Sequence, residues 1–427
     1  MHSEERLSAS TPEGGHIEVS YAGAQGPMFA LMLKTGLLTL VTLGLYRFWQ
    51  KTRVRRYIWS SVNAGGDTFE YTGTGLEKFL GFLVAIVFLA VYLGVVQMIL
   101  FYLGLNIMVD TDTADEGDLI GMVAASVISG LAVLPFLLFA IYRARRYKMA
   151  RTRFRGIRLG MEKGAWGYVI RAMGYGLLAI VSLGLLTPLM TFRLEQYMTA
   201  RSYYGSTRMR QDGRWSDLYA AMKHVFIALG ILLASGFLIY TGSESDTIPK
   251  IVLGVIAMLV GYVWIFVGAI YYAVQSFGYL MSHKVLGNEI RFAAEPRTGT
   301  VIKTYILGGL LLALLSSVVF GIAFALAMPF LAGIESLFAD GEATMTETQI
   351  MTRMIGAGVV VGIGYLVGLV VMQALTMILI TQPVLAHYIG TIRILNPDAL
   401  DRVHQRAAEA GIDADGFADA LDIGGAI

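Results

Sequence analysis

The chain has 427 residues, with 33 basic against 31 acidic side chains, 56% hydrophobic residues and 15% charged ones. Soluble domains run about 45–50% apolar and about 25% charged, so the composition excludes a disordered chain and points to lipid as the main solvent. A net charge of +2 supplies no global field for nucleic acid, and zero cysteines exclude disulfides, thiol catalysis and Cys-based metal sites.

In chain order, residues 1–26 carry Glu4, Glu5 and Glu13 and lack a basic start followed by a short apolar run, so a cleaved secretory signal is not expected. Six long apolar runs follow, roughly 79–105, 119–142, 220–240, 251–283, 304–333 and 354–389. Each meets the length of about 20 residues needed to cross a bilayer. Two shorter runs, 28–46 and 172–190, stand apart.

Charge orients the six. The connections 106–118, 241–250 and 334–353 hold acids such as Asp115, Glu116, Asp118, Glu244, Asp246 and Glu347, with Lys250 and Arg353 as their bases. The stretches 47–78, 143–171, 193–223 and 284–303 hold 26 of the 33 basic residues, which by the positive-inside bias places them, and both termini, in the cytoplasm. Full crossings at 28–46 and 172–190 would put basic stretches on opposite faces. Both are therefore expected to be re-entrant or interfacial helical hairpins, with eight ordinary spans as the alternative. A helix from Pro27 to Gly44 is about 24 Å long, short of the roughly 30 Å core. Thr187-Pro188 reads as the start of a new helix.

The two short runs match at an offset of 140: Leu37 to Leu45 lines up with Leu177 to Leu185, Arg53 with Arg193, and Tyr57 with Tyr197. Arg55-Arg56-Tyr57 also matches Arg145-Arg146-Tyr147. After Tyr57, Ser60 to Asn63, a Gly65-Gly66-Asp67 turn and Thr68 to Gly73 read as a β-hairpin. Similar alternations occur at 152–159, around 203–215, at 285–293 and at 389–395. An isolated hairpin is marginal in water, so these pieces, with Ile17–Tyr21, are expected to pair into a small shared sheet.

The run from Leu37 to Tyr46, then Trp49, Lys51, Arg53, Arg55-Arg56-Tyr57 and Phe69 to Glu77, resembles the YjgN-like family of bacterial inner-membrane proteins, a domain of unknown function. Gly75 replaces a proline common in that family. The resemblance implies a polytopic inner-membrane protein and brings neither an activity nor catalytic residues.

The fold class expected is an all-α integral membrane protein: a polytopic helical bundle with internal repeats, two short re-entrant hairpins and small cytoplasmic β-hairpins. Its parts are a cytoplasmic segment 1–26, a membrane domain 27–395 and a cytoplasmic tail 396–427. His224, His283 and His387 each end a span and read as interfacial side chains. Arg145, Arg146, Arg151 and Arg153 are candidate contacts for anionic lipid. Gly44 and Gly184 are candidate hairpin turns, and a turn held at membrane depth is a candidate for lining a pathway. Gln97, Gln275 and Gln373 are the candidate polar residues of such a path, and the Gly358/Gly362 and Gly364/Gly368 pairs offer close helix approach. With no acid at mid-span and no nucleophile–base pairing, no enzyme activity, cofactor or metal is expected. The expected partners are membrane lipids and not nucleic acid. The expected role is passage of a solute or lipid, with a structural envelope role as the alternative and a membrane-embedded enzyme third.

Overall fold

The computed structural model describes residues 15–109, 115–331 and 346–407. Asp110, Asp112, Glu335, Asp340 and Glu342 of the acidic connections, the acids of the N-terminal segment and the tail from 408 onward lie outside these.

One order of elements, strand to two helices to strand, occurs five times. First come β1 (His16–Tyr21), α1 (Gln25–Val41), α2 (Arg47–Ser60) and β2 (Val62–Ala64), then β3 (Asp67–Tyr71), α3 (Gly75–Tyr102), α4 (Glu116–Ala150) and β4 (Thr152–Phe154). The third set is β5 (Ile157–Met161), α5 (Ala165–Val181), α6 (Thr187–Thr199) and β6 (Ser202–Tyr204). The fourth is β7 (Thr207–Gln211), a 3-10 segment Trp215–Met222, α7 (Lys223–Glu244), α8 (Ile248–Ser282) and β8 (Lys284–Leu286). The fifth is β9 (Ile290–Ala294), α9 (Thr298–Leu331), α10 (Glu347–Thr376), a π-helical segment Met377–Thr381, α11 (Gln382–Gly390) and β10 (Ile392–Leu395).

The expectation of small hairpins in a shared sheet is corrected by the strands themselves, which form one closed antiparallel barrel of ten. Tight turns join β2 to β3, β4 to β5, β6 to β7 and β8 to β9, while the chain's two ends supply the fifth pair, with Ile17 opposite Ile394. Strands of three to six residues leave costly edges, and closure removes them. Register sorts the side chains onto two faces. On one lie Phe69, Phe154, Ile157, Tyr204, Leu286 and Ile394; on the other Glu70, Arg153, Arg158, Arg208, Arg291 and Arg393. Phe154, Tyr204, Leu286 and Ile394 are buried, whereas Arg208, Arg291 and Arg393 are exposed, so the apolar face is the interior.

Residues 396–406 cross the turn-bearing rim. Asn396 donates to the Glu289 carbonyl at 3.0 Å, Arg402 pairs with Glu289, Asp401 accepts from Arg155 at 3.2 Å, and Ser206 N–H donates to the His404 carbonyl at 2.7 Å. Leu400 and Val403 are buried beneath this strap.

Contact density divides the chain into two units: one comprises residues up to Ser20, Trp59–Pro296 and from Gly390 onward, the other Tyr21–Ile58 and Arg297–Ile389. Among the described residues six helices are long and apolar enough to cross a membrane: α3, α4, the stretch Trp215–Glu244 that contains α7, α8, Thr298–Phe330 within α9, and Thr348–Gly390 across α10 and α11. In the first unit α7 and α8 are sealed together. Gly254, Gly261 and Gly268 are buried at heptad spacing on α8, where an added Cβ would lie 2.6 Å from Ile239, 2.6 Å from Leu232 and 3.0 Å from the Val225 backbone nitrogen. In the second unit Gly364 and Gly368 meet Ala323 and Phe320 of α9, while Gly358 and Gly362 face open space.

Candidate functional site

The short hairpins α1/α2 and α5/α6 each turn through a leucine and a glycine at positive φ: Leu43 at 52° and Gly44 at 92°, Leu183 at 51° and Gly184 at 86°. The Gly44 N–H reaches back to the Thr39 carbonyl at 2.7 Å and the Leu43 N–H to Leu40 at 3.1 Å, the double bond of a Schellman motif. The Leu45 N–H bonds the Thr42 carbonyl at 3.1 Å, and the Tyr46 N–H bonds the Thr42 hydroxyl at 2.9 Å. The second hairpin repeats every bond, with Ser182 in place of Thr42: Gly184 to Ala179 at 2.7 Å, Leu183 to Ile180 at 2.9 Å, Leu185 to Ser182 at 3.0 Å and Leu186 to the Ser182 hydroxyl at 3.0 Å. Both turns thus satisfy their own backbone donors. They also project an apolar tip, with Leu43 94% and Leu183 87% exposed. A Cβ on Gly44 would meet nothing within 4 Å among the described residues.

The hairpins agree at their bases as well. The Tyr57 hydroxyl donates to the Ala24 carbonyl at 3.0 Å, and the Tyr197 hydroxyl to the Gly164 carbonyl at 2.9 Å, in each case at the residue preceding the first helix. The same position, five residues before the next strand, carries Tyr279, which accepts from the Arg214 N–H at 2.8 Å, and His387, whose Nε2 accepts from the Arg297 N–H at 2.9 Å. His283 packs at Tyr279, its Nδ1 2.8 Å from the Tyr279 carbonyl, and His224 stands edge-on to Tyr271. Among the described residues no three metal-ligating side chains converge.

The base of α4 gathers charge. Arg145 grips Glu195 of α6 with both terminal nitrogens, at 2.7 and 2.9 Å, and Lys284 Nζ reaches the same carboxylate at 2.7 Å. Burial alone would raise the Glu195 carboxyl, but Arg145 and Lys284 hold it well below the usual carboxylate range. Arg151 pairs with Glu77 at 3.0 Å, and Tyr147 donates to the same carboxylate at 2.8 Å. Arg146 is buried and its Nε donates to the Met161 carbonyl at 2.9 Å; Arg153 lies on the outer face of the barrel. The four arginines therefore occupy four different settings. The structure adds Glu195, the single acid between Glu162 and Asp212, whose isolation in a basic stretch was the sequence signal of a pairing role.

Beside this base, α3 and α4 leave space between them. A groove of about 360 Å³ runs past Val84, Phe88, Tyr92, Pro135 and Phe136 to Phe139, Arg143 and Trp166. A second cavity of about 500 Å³ shares those last three residues and adds Arg146, Lys163 and the first turn of α5. The candidate polar residues do not share a space with it: Gln97 donates to Ser129 at 2.8 Å higher in the α3/α4 pair, Gln275 lies on α8, and Gln373 is exposed on α10 of the other unit.

The sequence compares as follows. The model of a family described as bacterial protein of unknown function (DUF898) matches residues 16–317. The chain is similar to inner membrane protein YjgN of Escherichia coli O157:H7, 26% identical over 36% of this chain and 35% of that protein. It is also similar to inner membrane protein YjgN of Salmonella typhimurium, 31% identical over 18% of this chain and 20% of that protein. The matched stretches span about a third or less of these curated relatives. No solved structure matches the chain. With the family model covering most of its length, this polytopic helical protein belongs to the YjgN-like DUF898 family of bacterial proteins of unknown function.

Proposed function

We propose that the protein resides in the bacterial inner membrane with its barrel in the cytoplasm, and that its role is non-enzymatic: it moves lipid within or across the bilayer. The observation that carries this reading is the pair of half-length hairpins. An αL leucine costs on the order of 1 kcal/mol, yet both hairpins place one at the tip, bare and apolar. In water such a tip is unfavourable; in hydrocarbon it is favoured, and the turn's donors already have partners. Each hairpin then ends within the hydrocarbon core without crossing it and disturbs the packing of the acyl chains around its tip. The apolar barrel interior and the strap across its rim favour lipid over a water-borne solute passing through the barrel. The location follows the names of the relatives and the clustering of basic residues on the barrel side.

Because the chain has no cysteine, Leu43→Cys and Leu183→Cys each supply a single thiol for a fluorescent label. In liposomes the labels should be quenched by mid-chain brominated lipid and not by aqueous iodide. Wild-type protein should also speed transbilayer movement of a labelled phospholipid, and the Leu43→Asn/Leu183→Asn double variant should slow it. Iodide quenching would place the tips in water and end the proposal. Buried tips without lipid movement would leave a structural role.

A further inference from the structure

We propose that the acidic stretch 408–427, which lies outside the described residues, docks on the outer face of the barrel at β4 and β5, where Arg153 and Arg158 stand opposite each other. The inference goes beyond the lipid reading and does not depend on it.

This face carries charge that its own strands do not answer. Arg153 and Arg158 are cross-strand partners on the outward side of β4 and β5. Like charges in that position destabilise a strand pair. Among the described residues neither guanidinium has a hydrogen bond or an ion pair, and Glu70, which faces Arg153 from β3, makes none with it. Arginines close by are answered: Arg155 by Asp67 at 2.7 Å and Asp401 at 3.2 Å, Arg210 by Asp212 at 2.7 Å, and Arg208 and Arg406 by Glu162. The row Glu70, Arg153, Arg158 keeps a net positive charge in the midst of these pairs.

The strap delivers the acidic stretch to this face. The Arg158 N–H donates to Gln405 Oε1 at 2.8 Å, and the Arg406 guanidinium lies over the Tyr203 ring, 4.7 Å from its centre. Tyr203 is the partner of Gly160, two residues beyond Arg158 and on the same side of β5. The described chain therefore stops at Ala407 beside the arginine row. Next come Glu409, Asp413, Asp415, Asp419 and Asp422, with no Lys or Arg through residue 427. At about 3.3 Å per extended residue, Glu409 lies within about 10 Å of Arg406 and Asp413 within about 23 Å, so both can reach the row. A free anion offers the same chemistry, but tethering raises the effective concentration of these acids to the order of millimolar. Docked there, the stretch holds the strap from its far end and keeps Leu400 and Val403 seated at the barrel rim.

The test uses the full chain in nanodiscs. Because the chain has no cysteine, Ala414→Cys carries a single benzophenone, and the crosslinked peptides are located by mass spectrometry. Crosslinks within one molecule to the peptides bearing β3, β4 and β5 are expected. Exposed ion pairs are individually weak, and two together are worth about a factor of five. Arg153→Gln/Arg158→Gln should therefore lower the crosslink yield about fivefold, and high salt should lower it as well. Arg291→Gln, on exposed β9 at the opposite side of the ring of strands, should leave it unchanged. Asp413→Lys/Asp415→Lys should lower the yield without touching the barrel, and adding Arg153→Glu/Arg158→Glu should restore it. Crosslinks that are absent, spread around the barrel, or made to lipid or to a second copy overturn the proposal, and so does an equal loss with Arg291→Gln. The changes at 413 and 415 keep the test decisive if the arginine variants do not fold, because an unchanged yield there overturns the proposal by itself.

Discussion

The α7/α8 and α3/α4 hairpins occupy the same place in the recurring element order and solve helix pairing in opposite ways. α7/α8 is sealed along its length by three glycines that bring the backbones together, and 17% of the most apolar window of each span is buried. In α3/α4 the corresponding values are 6% and 11%, and a groove separates the helices. Lipid tails are as apolar as leucine, so helices in a membrane associate through close packing and polar bonds. The sealed pair uses packing. The open pair is joined at its base by charge, through Glu77 of α3 with Arg151 and Tyr147 near the end of α4, while Arg145 of α4 is tied through Glu195 to α6 and Lys284. Above that base the helices meet again only at neutral bonds, Tyr92 to Ala132 and Gln97 to Ser129 among those described, and the groove runs between Tyr92 and the base.

The largest effect should come from removing the carboxylate that ties the base of α4 to α6 and Lys284. Glu195→Gln leaves two cations against each other at a largely buried site and should cost about 3–5 kcal/mol in a mixed-micelle unfolding titration. The acid response supplies a second readout. The folded carboxyl titrates below its ordinary value near 4.5, so its contribution is present above that pH and is lost as pH falls below it. Wild type should destabilise progressively below pH 4.5, and the variant should lose much of this slope. An unchanged slope would remove Glu195 as the anchor.

The sealed pair should respond to bulk and the open pair should not. Gly268→Val drives a Cβ to 3.0 Å from the Val225 nitrogen, on backbone that cannot rotate away, and should cost about 1–3 kcal/mol. Gly94→Val on α3 meets nothing within 4 Å and should change stability by less than about 0.5 kcal/mol. Equal costs at the two sites would mean that the contrast between the hairpins is not one of packing.

Much of this architecture was legible in the sequence. Spans announce themselves by length and apolarity, and the Gly65-Gly66 turn with its alternating flanks announces a hairpin. Closure of the barrel was not legible, because β2, β4, β6 and β8 have three residues each, too few to show an alternation, and β1 meets β10 across almost the whole chain. The short hairpins were marked by Gly44 and Gly184, but the outward direction of their tips depends on Thr42 and Ser182 bonding back into the turn. Gly254, Gly261 and Gly268 stand at heptad spacing, which the four-residue small-residue pattern misses, while the Gly358/Gly362 pair fits that pattern and faces open space instead. Arg145 reads as a lipid contact until Glu195 and Lys284, 50 and 139 residues on, are brought beside it.

The smallest expected effect concerns how each hairpin is tied where it leaves the barrel. In the sealed pair Tyr279 meets main chain at Arg214, accepting from its N–H at 2.8 Å with its carbonyl at 3.0 Å, and the Asp217 carboxylate lies 2.7 Å away. In the open pair the equivalent ring, Tyr147, donates to the Glu77 carboxylate, which Arg151 also holds. A hydrogen bond to neutral main chain contributes about 0.5–1.5 kcal/mol and one to a charged group about 1.5–3. Tyr147→Phe should therefore cost more than Tyr279→Phe if the main-chain bond dominates at Tyr279, whose single proton goes to either the carbonyl or Asp217. Asp217→Asn separates these cases: it should leave the cost of Tyr279→Phe near 1 kcal/mol if the proton goes to Arg214, and reduce it if the carboxylate takes the proton. The open pair would then be the one fastened by charge at its base. Equal costs for the two tyrosines, insensitive to Asp217→Asn, would show that the ring's packing holds both hairpins and that the hydroxyl's partner is immaterial.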